Sequence, residues 1–123
     1  MRAERVARSV LEELTGLLRE VKDPRVADVG LVTVTHVRVS DDLGVARVQV
    51  VMRRFDGEPA TSEQIEELLA GLNHAAPFLR RQIGKALRAK KVPELRFHFD
   101  EVGDKAARVE ELLAEIAAQP KSS

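Results

Sequence analysis

Apolar residues recur at three- and four-residue steps through Val6, Val10, Leu14, Leu17 and Val21, with Leu11 and Leu18 flanking the stripe. That spacing predicts an amphipathic helix. Arg5, Arg8, Glu12 and Arg19 fall on its solvated side, and the Asp23-Pro24 pair ends it. From Gly30 to Ser40 the chain turns β-branched. Val32 and Val34 alternate in one phase and Val37 and Val39 in the other, so one inserted residue near Thr35-His36 returns all four to the same face. A β-bulge is predicted there, because an unbulged strand would turn one pair outward. Asp41-Asp42-Leu43-Gly44 has turn chemistry, and the next strand sets Ala46, Val48, Val50 and Met52 on one side of an antiparallel hairpin.

Thr61 with Gln64 fits a capping box and opens a long helical pattern through Ile65, Leu68, Leu69, Leu72 and Ala76. Pro77 lacks an N–H and crowds the carbonyl four residues back, so two half-helices meeting near Ala75–Pro77 are expected. The second half carries Leu79, Ile83, Ala86 and Leu87 inward and ends before Val92-Pro93. Leu95, Phe97 and Phe99 alternate with Arg96, His98 and Asp100, which predicts a strand with one buried face. Asp104 is the expected cap of a last helix bearing Val109, Leu112, Leu113 and Ile116. The order is α-β-β-α-kink-α-β-α: an α+β domain over residues 1–117, with a flexible tail over 118–123.

The chain has 123 residues, enough for one hydrophobic core without covalent staples. Cysteine is absent, which excludes disulfides, thiolate metal sites and a cysteine nucleophile. Trp and Tyr are absent too, arguing against an RNA-binding sheet built on stacking aromatics. No apolar run reaches membrane-spanning length, and a cytoplasmic protein is expected.

Twenty basic and twenty acidic residues cancel, but their placement does not. Residues 56–72 hold five acids and no base, whereas 79–98 hold seven bases against Glu94 alone. At about 100° per residue, Arg81, Lys85 and Arg88 share the helix side opposite Ile83 and Leu87. Gly84 lies beside them, where a backbone could approach. Spaced cations of this kind suit a phosphate chain. A merely solvated helix face is the alternative at this level.

Sites for chemistry do not assemble. Gly84-Lys85 lacks the glycine of a phosphate loop five positions earlier, where Leu79 stands. His36, His74 and His98 have no paired ligand spacing, so no metal is expected. The Asp41-Asp42 pair and the Asp100, Glu101, Asp104 cluster are explained by turns and caps. Ser40 and Ser62 have no base beside them in the sequence. No catalysis, cofactor or small-molecule substrate is expected.

Several segments resemble the ribosome-binding factor A family in order and spacing. They are Arg2-x-x-Arg5-Val6, Lys22-Asp23-Pro24-Arg25-Val26, Gly30-Leu31-Val32-Thr33-Val34-Thr35 and the Ser40-Asp41-Asp42-Leu43 turn. The likeness continues through Asn73-His74-Ala75-Ala76-Pro77-Phe78-Leu79-Arg80, Ile83-Gly84-Lys85-x-Leu87-Arg88 and Val92-Pro93-Glu94-Leu95-x-Phe97. The resemblance implies a type-II KH-like fold (α-β-β-α-kink-α-β), with a three-stranded sheet packed on helices and a C-terminal helix added. The chain has no G-x-x-G loop, and Ala75, Ala76 and Pro77 stand where the family has its Ala-x-Gly interhelical kink. It further implies a non-enzymatic 30S assembly factor that binds 16S rRNA, assists late maturation and 5′-end processing, and serves growth in the cold. Arg80, Arg81, Gly84, Lys85, Arg88, Lys90 and Lys91 are the candidate RNA-binding residues, on a protein expected to be monomeric when free. The competing reading is a protein-interaction module that binds a charged partner surface without RNA.

Overall fold

The computed structural model describes residues 2–88 and 90–119. Helix α1 (Arg2–Leu17) is followed by a 3-10 turn (Leu18–Glu20), a short helix α2 (Pro24–Ala27) and strands β1 (Gly30–Val39) and β2 (Val45–Arg54). Then come helix α3 (Ser62–Leu87), strand β3 (Glu94–Phe99) and helix α4 (Glu101–Ala118). β2 is central, antiparallel to β1 and parallel to β3, so α3 is the crossover between two parallel neighbours. This is the KH-like arrangement, and α1 and α3 cover one face of its sheet.

The hairpin forms as its valines require. Register shifts between Val34 and His36, leaving Thr35 unpaired opposite Gln49. Val34 and Val39 are buried and Val32 and Val37 half-buried, on the side occupied by Ala46, Val48, Val50 and Met52. From the helices, Val10, Leu14, Leu68, Leu72, Leu79 and Ile83 complete this core, all fully buried. Each such side chain contributes about 1.5–3 kcal/mol relative to leaving it in water.

Helix entrances follow their caps. Thr61 Oγ1 accepts from Gln64 N–H (3.1 Å), and Gln64 Oε1 accepts from Thr61 N–H (3.0 Å), closing the capping box. α2 is an element the sequence pattern did not reveal, and Asp23 starts it, with Pro24 in the first turn. The carboxylate takes Arg25 Nε and Nη2 at 3.0 and 2.7 Å and Arg25 N–H at 3.0 Å. The guanidinium bonds, then the backbone bond, hold the Asp23 carboxyl down to about 2.

The structure departs from these expectations in the helices and at Asp100. The pair of half-helices is not found: α3 is one element of 26 residues with Ala75, Ala76 and Pro77 inside it. Proline removes a single hydrogen bond to the Asn73 carbonyl, while fully buried Leu68 and Leu72 before it and Leu79 and Ile83 after it hold both sides to one surface. α3 also stops earlier than expected, at Leu87, with Arg88 left-handed (φ 50°) as its C-cap, and Ala86 is exposed. The cap of α4 is Asp100, not Asp104, and Asp100 is buried where strand alternation placed it outward. Of the expected tail, Ala118 closes α4, and residues 120–123 lie outside the described residues.

Pro77→Ala should therefore stabilise the protein. Proline in a helix interior costs about 3 kcal/mol relative to alanine. The neighbouring turns are already built around the ring, so we expect a net gain of about 1–2 kcal/mol, read as a higher Tm. A lower Tm would mean that the packing around α3 requires the proline ring.

Asp100 ties the bulge to α4. Its carboxylate accepts from Gly103 N–H (2.9 Å) and from the hydroxyl of Thr35, the bulged residue (2.8 Å). These bonds, the Gly103 amide first, keep the Asp100 carboxyl below the usual carboxylate range despite burial. The folded state thus binds fewer protons than the unfolded chain near pH 4, and this stability is full above that range and lost as pH falls through the folded pKa. Asp100→Ala should cost about 1 kcal/mol at neutral pH through the lost cap and flatten acid unfolding below about pH 4. Chemical denaturation at several pH values reads both effects.

α4 is turned the opposite way from a core helix. Its polar side lies over one end of the sheet, where Glu111 pairs with Arg53. Val102, Val109, Leu113 and Ile116 are exposed, and none of its residues is buried.

Candidate nucleic-acid interface

The basic half of α3 is positioned by its own apolar side. With Leu79 and Ile83 fixed in the core, Arg81 and Lys85 must emerge about half a helical turn away, Arg88 follows as the left-handed C-cap, and all three are exposed. Among the described residues none of the three forms an ion pair.

The other candidate residues divide by role. Arg80 donates from Nε and Nη2 to the Val92 carbonyl, at 3.0 and 2.8 Å, and so pins the segment after α3. Lys91 Nζ donates to the Asp42 carbonyl at 2.9 Å, joining that segment to the hairpin turn. Glu94 N–H donates to Gly44 O at 2.9 Å alongside. Asp42 in turn accepts from Ser40 Oγ (2.7 Å) and Gly44 N–H (2.9 Å), which lower its carboxyl pKa. Lys90 is exposed beyond the helix. Gly84 is half-buried, and a side chain there would meet Val92 Cγ2 at 3.0 Å. Its close approach is to this chain's own loop, not to an open surface.

A second basic surface, which no local sequence pattern marks, lies on the sheet. On the sheet face away from α1 and α3, Arg38 stands opposite Arg47, and Arg47 opposite Arg96. The signal lay in strand register, which the bulge sets for β1 but no local pattern sets for β3.

Among the described residues no cluster of three metal-ligating side chains occurs, and no helix is long and apolar enough to cross a membrane. His36, which is 71% exposed, lies 3.5 Å from Asp100 through Nδ1; His74 and His98 are exposed.

Residues 2–113 match the family model described as ribosome-binding factor A. The chain belongs to that family. A relative of the same name from Marinobacter nauticus is 39% identical over 115 residues, covering 93% of this chain and 78% of its own length. The solution structure of a Thermotoga maritima protein, a putative ribosome binding factor A, is 32% identical with a TM-score of 0.64, covering 79% of this chain and 85% of that one. Thermus thermophilus ribosome binding factor A, as fitted into the cryo-EM map of a 30S complex, is 25% identical with a TM-score of 0.54, covering 78% of this chain and 88% of that one. In this family member Pro77 lies within one continuous helix that also carries Arg81 and Lys85.

Proposed function

We propose that this chain is a non-enzymatic assembly factor for the small ribosomal subunit. It binds 16S rRNA through the exposed side of α3, with residues 1–117 acting as one KH-like RNA-binding unit, monomeric when free and working in the cytoplasm. Late maturation, 5′-end processing and growth in the cold are the processes it serves. Neither metal nor cofactor enters this role, because binding alone performs it. The observation that carries the reading is the stripe Arg81, Lys85, Arg88, which forms no ion pair among the described residues, on a member of this family. Arg80 and Lys91 support it from behind by fixing the loop that follows α3.

The test is co-sedimentation of the purified protein with isolated small subunits, large subunits and whole ribosomes on sucrose gradients. Migration with free small subunits, weakening as salt rises, is the expected result. Migration with none of the three, or salt-independent capture by all of them, would remove the assembly role.

A further inference from the structure

The uncovered face of the sheet carries a row of three arginines. Arg38 on β1, Arg47 on β2 and Arg96 on β3 are in register, so their Cα atoms span about 10 Å across the strands. The adjoining row is His36, Gln49 and His98, also in register. All six line one shallow concavity of about 650 Å³. α4 covers only the far end of this face, around Val51 and Arg53. Two carboxylates reach these rows, Glu94 at 3.5 Å from Arg96 and Asp100 at 3.5 Å from His36, while among the described residues Arg38 and Arg47 have no ion pair.

Like charges directly opposite one another on neighbouring strands are destabilising. This row holds two such juxtapositions in succession, with Arg47 flanked on both sides. Nothing in the packing explains it, since the core lies on the other face. Every side chain of the two rows can donate an N–H, and guanidinium forks match phosphate oxygens. An anionic ligand crossing the strands would satisfy both rows and relieve the repulsion. Arginine planes and imidazoles can also receive unstacked bases, which the absence of Phe from this face would otherwise forbid.

We propose that the open sheet face binds the sugar–phosphate backbone of a single-stranded RNA segment. This deepens the ribosomal RNA reading above and rests on it for its biological setting. The α3 stripe points away from the sheet, because Leu79 and Ile83 face it. The two basic surfaces therefore lie on opposite sides of the molecule and engage two separate RNA segments. Such a protein holds two strands at a fixed separation.

Two measurements test this on the full chain. In the first, an eight-nucleotide uridine RNA is titrated against amide NMR signals. Shifts are expected at Arg47, Gln49 and Arg96, and they should vanish in Arg38→Gln/Arg47→Gln/Arg96→Gln while any shifts on α3 persist. That variant should lose at least tenfold in affinity and roughly two units of salt slope. Its Tm should be unchanged or higher, because like-charge contacts are removed; if it fails to fold, Arg47→Gln alone should show the same loss in smaller measure. No shift on the sheet rows of the wild type would overturn the proposal. So would an acidic octapeptide that binds there as tightly as the RNA. In the second, both the sheet variant and an Arg81→Gln/Lys85→Gln/Arg88→Gln variant are run against small subunits. Loss in the helix variant alone, with the sheet variant at wild-type affinity, overturns the sheet site and leaves the assembly role standing. Octauridylate binding at the sheet in a wild-type protein that ignores small subunits overturns the assembly role and leaves the site.

Discussion

Replacing Arg81, Lys85 and Arg88 together by glutamate should lower affinity for isolated small subunits by roughly 100- to 1,000-fold at 0.1 M salt. Each phosphate contact contributes about 0.7–0.9 to the slope of log affinity against log salt, so three contacts are worth roughly two to three decades at that concentration. The slope itself should fall by two to three units. Folding should scarcely respond. All three residues are exposed and bear no ion pair among the described residues, and such surface changes usually stay within about 0.5 kcal/mol. Glutamate near a helix C-terminus opposes the helix dipole and adds up to about 1 kcal/mol. The corresponding glutamine variant, which lacks that effect, separates binding from stability. A folded triple glutamate variant with wild-type affinity would leave this side of α3 as a solvated surface.

Gly30→Ala should be the most damaging single methyl. Gly30 opens β1 opposite Arg54, and a Cβ there would sit 2.3 Å from the Arg53 carbonyl oxygen and 2.7 Å from its carbon. Both obstacles are backbone, and they are held by the hairpin ladder and by Phe55 N–H bonding to Val29 O at 3.2 Å. Relief requires β1 and β2 to separate where the strand begins, so the cost should reach or exceed the usual overpacking figure of about 3 kcal/mol. Gly16→Ala provides the control. It adds the same methyl in α1, where nothing lies within 4 Å, and should stabilise by up to about 1 kcal/mol through helix propensity. Opposite signs in the two melting curves are expected. Equal effects would show that the hairpin opening tolerates a side chain.

Sequence periodicity was most informative where a residue's surroundings are near it in the chain. The hairpin is such a case: two valine phases joined by a short turn leave only the bulged pairing able to bury both. Thr61 and Gln64 are another, since a capping box is closed within one turn. Pro77 shows the limit of the same reasoning. Its local preference for a break is real, but the residues that keep α3 continuous are the core partners of Leu72 and Leu79. Asp100 fails for a similar cause. Alternation along β3 turns it outward, whereas its hydrogen bond comes from Thr35, 65 residues earlier in the chain. The arginine row needed still more, because Arg47 and Arg96 meet only through a parallel pairing set by the whole α3 crossover. The α3 stripe was legible because helical spacing alone defines its side. Which of its neighbours serve the fold was not, and the bonds from Arg80 and Lys91 answer that.

The outward-facing apolar side of α4 has a consequence for how the protein opens. With no buried residue, α4 is secured by the Asp100 cap and by pairs such as Arg53 with Glu111, and little apolar area is exposed when it detaches. Its amides should therefore exchange with solvent deuterium through local release, with protection set by that small opening free energy, while those of β2 exchange only through global unfolding. The chain then behaves as two cooperative units of unequal stability, the lesser one resting at the edge of the arginine-bearing face.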